Sequence, residues 1–404
     1  MSKKTKSLQP STAMQTATIS APSDRLPWGG LLALSMAAFI TILTEALPAG
    51  LLPLISSGLD VSQAAAGQLV TVYAVGSLVA AIPLTTLTQG MRRRPLLLAA
   101  IAGFLVSNTI TAISPDYSLT MVARFVAGIS AGLLWALAAG YAARMAPEHL
   151  KGRAIAIAMV GTPLALSFGV PAGTLLGALV GWRACFGLMS GMTVILIVWV
   201  LAAVPDFAGE SGSARRSVKS VATLPGIRSV LLVVLTFVVA HNILYTYIAP
   251  FLARAEMEGQ VDTVLLTFGM ASLIGIWIIG VLIDRWLRVL TLASTALFGL
   301  ASIAFWIGDE APIAIYAATA VWGLAFGGCA TLFQTASAKT AGPAADLAQS
   351  MLVTAWNTAI AGGGMIGGVL LDQFGAGAFA PTMIALLIIC FAATLNARRH
   401  GFTA

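Results

Sequence analysis

Glu45 stands inside the apolar run FITILTEALPAGLLPLI, Arg124 inside SLTMVARFVAGISAG, and His241 inside VVAHNILYTYIAPF. All three are ionisable side chains among residues that favour lipid. A charge at the centre of a bilayer costs about 3 kcal/mol on insertion scales, so a membrane helix keeps one mainly for work on ions, protons or polar substrates. A buried carboxyl such as Glu45 can load and unload a proton near working pH; the alternative is a structural acid, hydrogen-bonded between helices. Arg124 either biases a neighbouring acid by its fixed charge or snorkels toward the membrane surface. His241 and Tyr245 are four residues apart and share a helix face. With Asn242 they suit the wall of a polar-aromatic cavity, against the simpler reading of a satisfied core histidine. Trp135, Gln334, Trp356 and Asn357 are further lining candidates, with packing or interface anchoring as their alternative.

These residues need helices to hold them at depth. The chain has 58% hydrophobic and 9% charged residues and a mean hydropathy of +0.93, far from the roughly 25% charge of soluble domains. Apolar runs of about 20 residues recur between short polar breaks and predict about twelve membrane spans. They are too long and too rich in Gly, Ala, Leu and Met for the roughly 10-residue alternating strands of an outer-membrane barrel. The fold class is therefore an all-α membrane protein.

Most basic residues fall in alternate breaks, among them Arg92 to Arg94, Arg144, Arg153, Arg215, Arg216, Arg285, Arg288, Lys339 and Arg398. The opposite breaks carry Asp60, Asp116, Glu256, Asp309 and Asp372. By the positive-inside rule both termini face the cytoplasm. The sequence pI near 9.6 is then a matter of topology rather than a nucleic-acid footprint. Cys185, Cys329 and Cys390 have no paired spacing, so no disulfide and no metal site is expected. The three histidines, His149, His241 and His400, lie in different regions, and no H-E-x-x-H, G-x-S-x-G or G-x-x-x-x-G-K-S/T string occurs. That argues against an intramembrane enzyme and against a self-contained ATP pump.

The longest central break, residues 205–229, mixes Gly, Ser, Pro and basic residues and divides the spans about equally. The expected organisation is a disordered tail over 1–26, a bundle over 27–204, a linker over 205–229, a second bundle over 230–398, and a tail over 399–404. A shift of about 195 positions brings Thr162 onto Asn357, Gly169 and Gly173 onto Gly364 and Gly368, and Gly128 and Gly132 onto Gly323 and Gly327. One position more places Thr88 on Asp284, Arg92 on Arg288 and Glu45 on His241. Pro163, Gly169, Pro171 and Gly173 should bend the fifth span and let it approach a neighbour.

Several strings resemble the major facilitator superfamily, in particular its proton-coupled drug and sugar efflux permeases. They are TEALPAGLLPLISSGLDVSQAAAGQLV across the first two spans, RFVAGISAG from Arg124, GTPLALSFGVPAGTLLG in the fifth span, and GWRACF opening the sixth. The resemblance implies twelve transmembrane helices in two pseudo-symmetric six-helix bundles around a central cavity. It implies a monomer in a bacterial inner membrane that exports a small drug-like or sugar-like molecule by proton antiport, with the proton as coupling ion and no other cofactor. Proton-coupled uptake, or a non-transporting sensor on the same scaffold, are its competitors. The resemblance also implies that Arg124 biases Glu45, and that the bent face of the fifth span belongs to the seam between the halves. The family's loop after the second helix resembles G-x-x-x-D-R-x-G-R-R, with the acid helping to latch the cytoplasmic side. Here the loop reads LTTLTQGMRRR, with Thr88 at the acidic position, whereas the second-half copy GVLIDRWLR keeps Asp284, Arg285 and Arg288.

Overall fold

Twelve long helices run back and forth in the computed structural model, which describes residues 26–88, 90–147, 150–209, 221–308 and 311–402. The expected tail through residue 25, the stretch 210–220 of the linker, His149 and the side chain of Asp284 lie outside the described residues. In chain order the helices are α1 Trp28–Gly50, α2 Gln63–Thr88, α3 Arg93–Ile113, α4 Tyr117–Met145, α5 Arg153–Val180, α6 Trp182–Ala203 and α7 Ile227–Thr246. They continue with α8 Glu258–Ile283, α9 Arg285–Ile307, α10 Pro312–Ala341, α11 Ala345–Phe374 and α12 Phe379–Asn396. Eleven of these positions are long and apolar enough to cross a membrane. The twelfth, α11, has 30 residues and packs against α2 and α7. The break expected between α8 and α9 is reduced to a single non-helical residue, Trp286, where φ is −128° and ψ 24° and the two helices meet.

Successive helices reverse direction, so one face carries the start of α1, the end of α12 and the α2–α3 turn, and the other carries the turns after α1 and α3. They are called here the terminal face and the far face. Within each half the helices approach through glycine. A Cβ on Gly128 of α4 would collide with the Tyr73 carbonyl oxygen of α2, and one on Gly323 of α10 would collide with the Phe268 carbonyl oxygen of α8. The same helix contact thus recurs at the spacing of the internal repeat. We predict that Gly128→Ala lowers stability by about 1–3 kcal/mol through overpacking, read as a lower melting temperature in detergent. Gly140→Ala, whose Cβ would meet nothing within 4 Å, should leave it unchanged.

The two halves join along α2–α11 and α5–α8. In α5 the helix widens to a π turn over Ala165–Gly169, just ahead of Pro171, as a lost backbone donor and a π bulge together allow. This sets Ser167 against α8, where its hydroxyl donates to the Gly269 carbonyl at 3.0 Å. Gly169 and Gly173 depart from the expected seam. Their missing side chains make room for Phe39 and Leu47 of α1, inside the same half. Their repeat mates Gly364 and Gly368 do lie on the seam, against Thr71 and Gln68 of α2.

Nearer the far face, Tyr247 follows the last turn of α7 and donates to the Gly364 carbonyl at 2.8 Å. Gln68 of α2 donates to the Tyr247 hydroxyl at 3.1 Å and to the Gly364 carbonyl at 3.3 Å. The buried core follows the same asymmetry. Leu47, Leu51 and Ile55 of the first half share one apolar cluster with Phe237, Leu252 and Phe379 of the second. Leu31, Leu97, Leu134, Ala158 and Val200, toward the terminal face of the first half, form a separate cluster. The hydrogen bonds from Gln68, Tyr247 and Ser167 to the opposite half lie at mid-depth or toward the far face. The halves are tied together there.

The basic turns at the terminal face dock on the last helix of their own half. Arg92 pairs with Asp206 at 2.6 Å, and the Arg94 backbone N–H donates to the same carboxylate at 3.0 Å. Arg288 donates to the Leu395 carbonyl at the end of α12, at 2.9 Å. Arg285 is exposed. Thr88 bonds back to the Leu84 carbonyl of its own helix at 2.6 Å, so the missing acid leaves a self-satisfied hydroxyl. The Arg94 amide and the Arg92 guanidinium hold the Asp206 carboxyl below its ordinary range. A depressed value makes this clamp's contribution complete above the unfolded carboxyl's range and lost as pH falls through the folded one. Melting temperature should therefore fall on acidification less steeply in Asp206→Asn than in the parent protein.

Candidate functional site

The site is built around one turn of α1. Pro48 sits inside that helix and has no N–H, so the Thr44 carbonyl four residues earlier loses its intrahelical donor. Arg124 of α4, which is 1% exposed, supplies the replacement. Its Nη1 donates to the Thr44 carbonyl at 2.5 Å, its Nη2 to the Glu45 carbonyl at 3.3 Å, and its Nε to the Leu69 carbonyl of α2 at 3.2 Å. The planar fork of a guanidinium suits this three-way contact, where a lysine would present a single point charge. The guanidinium also lies over the Tyr73 ring, 4.9 Å from its centroid, and the Tyr73 hydroxyl donates to the Thr41 carbonyl at 3.1 Å. Asn108 of α3 donates to the Thr44 hydroxyl at 3.0 Å. Three neighbouring helices therefore grip residues 41–45 of α1.

Arg124 does not snorkel. It is buried and turned inward, spending its donors on the backbone carbonyls of Thr44, Glu45 and Leu69. Glu45 remains within electrostatic reach of Arg124, of Tyr73, and across the seam of Tyr245 on α7. Its side chain is half-buried rather than sealed. The gripped turn thus presents one half-buried carboxyl beside a fixed positive charge, within electrostatic reach of the opposite half.

The second half is organised differently. His241 is 6% exposed and stacks on Phe326 and on Tyr245, with ring centroids 3.6 and 5.0 Å apart. Trp322 and Phe268 complete an aromatic nest around it at 5.3 and 5.7 Å. The expected symmetry of Glu45 with His241 is one of sequence register, while the residue near Glu45 is Tyr245. His241 is not a simple satisfied core residue either: its Nδ1, the Tyr245 hydroxyl and the Trp322 Nε1 are buried without a hydrogen-bond partner. Leaving such groups unpaired costs about 1–3 kcal/mol each, so the nest is a buried polar-aromatic cluster with unused hydrogen-bonding capacity.

The other candidates scatter. Asn242 bonds back to the Val238 carbonyl at 2.9 Å and its Cβ lies against Gly363 of α11, so it serves α7–α11 packing. Asn357 bonds back to the Val353 carbonyl at 3.0 Å. Trp356 joins the nest's outer edge, 6.4 Å from Phe326 and 6.3 Å from Phe333. Gln334 is exposed, and Trp135 packs on the separate core of the first half. Sequence reasoning passed over Tyr73, Asn108, Gln68 and Trp322. Only Asn108 carried a signal, as an amide inside an apolar span.

Comparison with known proteins agrees with this architecture. Residues 34–357 match the sequence model of the Major Facilitator Superfamily. The chain is 34% identical over 364 residues to the inner membrane transport protein YdhP of Escherichia coli (strain K12), covering 88% of this chain and 92% of that protein. It is 25% identical over 358 residues to a probable sugar efflux transporter of Mannheimia succiniciproducens, with coverage of 87% and 89%. It is 26% identical over 353 residues to the purine ribonucleoside efflux pump NepI of Salmonella paratyphi B, with coverage of 86% and 88%. Among solved structures, the human organic anion transporter MFSD10 superposes with a TM-score of 0.72 at 15% identity, over 92% of this chain and 100% of that one, a likeness of fold. Twelve helices in two glycine-packed halves, a family match over most of the chain and a relative above 30% identity together make this protein a membrane transporter of the major facilitator superfamily, not an enzyme.

Proposed function

We propose that this transporter exports a small organic molecule across the inner membrane in exchange for protons, with both termini cytoplasmic and Glu45 as the proton carrier. The observation that carries the proposal is the half-buried carboxyl on a turn of α1 gripped by Arg124, Tyr73 and Asn108, within electrostatic reach of Tyr245 of the other half. A rigid backbone around a titrating side chain lets the charge change without collapse of the helix. With the terminal face as the cytoplasmic one, the contacts of Tyr247, Gln68 and Gly364 lie toward the outer side, which supports a reading in which Glu45 exchanges its proton with the cytoplasm when those contacts are made.

Release of the proton to the cytoplasm and its reloading from outside then alternate with substrate binding as the halves rock about the seams. The ionised carboxylate sits beside the Arg124 charge, and the protonated form is neutral when the site turns outward. The relatives named for sugar and for purine ribonucleoside efflux point to a polar, hydrogen-bonding substrate, which suits the unpaired donors and acceptors around His241. Everted membrane vesicles with an acid interior should accumulate a labelled substrate found in a panel of purine ribonucleosides and sugars. Movement of the same compound only in the opposite direction would refute export.

A further inference from the structure

We infer that the terminal face carries a second binding site, remote from Glu45, for an ionised phosphate group. The site is a cavity of about 170 Å³ lined by Pro225, Lys339, Thr340, Arg399, His400 and Gly401. Three distant parts of the chain meet there: the end of the linker before α7, the last turn of α10, and the segment after α12.

The walls are fixed by packing and by backbone. Gly226 and Gly401 both have positive φ, +94° and +106°, and their backbones touch so closely that a Cβ on Gly226 would lie 2.5 Å from the Gly401 nitrogen. The Thr340 hydroxyl shares its proton between the Ala336 carbonyl of its own helix at 2.7 Å and the Gly401 carbonyl of the tail at 3.1 Å. A small apolar cluster of Val221, Ile227, Ala341, Ala344 and Ala348 anchors the linker end to the neighbouring helices.

Into this frame project an ammonium, a guanidinium and an imidazole. Neither Lys339 nor Arg399 has a carboxylate within 4.0 Å among the described residues. An exposed, unneutralised Arg and Lys converging on one cavity match a phosphate, which the guanidinium can take with two parallel hydrogen bonds. The volume is well under the roughly 300–1,000 Å³ of pockets that enclose a drug-sized ligand, so the cavity takes a single headgroup and not a transported molecule. Both cations stand at helix ends, the depth at which anionic lipid headgroups meet basic pockets between membrane helices. The phosphate is therefore assigned to an anionic phospholipid, with free phosphate as the other source of the same chemistry. Its occupant would tie the linker to the tail and to α10, holding the second half's terminal end together.

The test uses the purified, delipidated full-length protein, with native mass spectrometry and melting temperature as readouts. Phosphatidylglycerol should be retained and raise the melting temperature, phosphatidylcholine should do neither, and inorganic phosphate should compete. Each lost charge should weaken retention about fivefold, the value of one basic residue at a membrane surface. The pair Lys339→Gln with Arg399→Gln should thus lose roughly 25-fold, while Lys339→Arg with Arg399→Lys keeps most of it. Binding of inorganic phosphate without phosphatidylglycerol would keep the site and assign it to free phosphate. Equal retention of the two lipids with no phosphate binding, or undiminished phosphatidylglycerol binding by the double Gln variant, would overturn the inference.

Discussion

Glu45→Gln should abolish uphill transport driven by a pH gradient, down to the level of protein-free vesicles, while substrate exchange between the two sides of the membrane continues without a gradient. The amide keeps the shape and polarity of the side chain and cannot ionise. Everything that shapes the surrounding turn is backbone chemistry untouched by this change: Arg124 holds the carbonyls of Thr44 and Glu45, Tyr73 holds that of Thr41, and Asn108 holds the Thr44 hydroxyl. Binding and rocking therefore survive, and only the coupling to protons is lost. The measurement is paired, with gradient-driven accumulation and counterflow read in the same proteoliposomes. Gradient-driven accumulation that persists in Glu45→Gln would remove Glu45 from the proton path.

The second large effect concerns Arg124 and Pro48 together. Arg124→Ala removes the donors to three carbonyls, two of them buried, and the Thr44 carbonyl is the one with no helical alternative, because Pro48 stands four residues on. An orphaned buried acceptor costs about 1–3 kcal/mol, so Arg124→Ala should lower the melting temperature markedly, and Arg124→Lys should restore little of it. Pro48→Ala gives the Thr44 carbonyl an intrahelical donor. The double variant Pro48→Ala, Arg124→Ala should then be more stable than the sum of the single changes predicts, by about 1–3 kcal/mol. Strict additivity in that cycle would show that the arginine is not compensating for the proline.

The pairing of Pro48 with Arg124 marks the limit of what the chain reveals before it is folded. Both residues stood in the motifs that carried the family resemblance, and an arginine inside an apolar span announces itself through its cost. Its partners could not be read, because backbone carbonyls leave no trace in a sequence; an acid beside an arginine suggests an ion pair, and the actual acceptors are the carbonyls freed or bent around the proline. Glycines behaved similarly. The repeat of Gly128 at Gly323 was legible as spacing and returned as the same helix contact. The direction of Gly169 and Gly173 was not, since a small residue shows that something approaches and not which helix it is.

The surroundings of His241 and the contacts near the far face were hidden for a different reason. The His241 nest draws Phe268, Trp322 and Phe326 from α8 and α10, and aromatic residues in membrane helices are too common to single out by type. Gln68 and Tyr247 meet across 179 residues of chain, and a glutamine near a helix start reads as an interfacial residue until the opposite half is in place. Spans, halves and the buried acid follow from composition and spacing, which are properties of one helix at a time. The contacts between halves depend on how two bundles dock, which no single helix encodes.

The most direct test of the account is infrared difference spectroscopy of the reconstituted protein as pH is swept. We expect a carboxylic acid C=O band that vanishes as pH rises and returns as it falls, present in the parent protein and missing in Glu45→Gln. A spectrum with no Glu45-dependent band at any pH, with the protein still folded, would contradict the claim that this carboxyl gains and loses a proton.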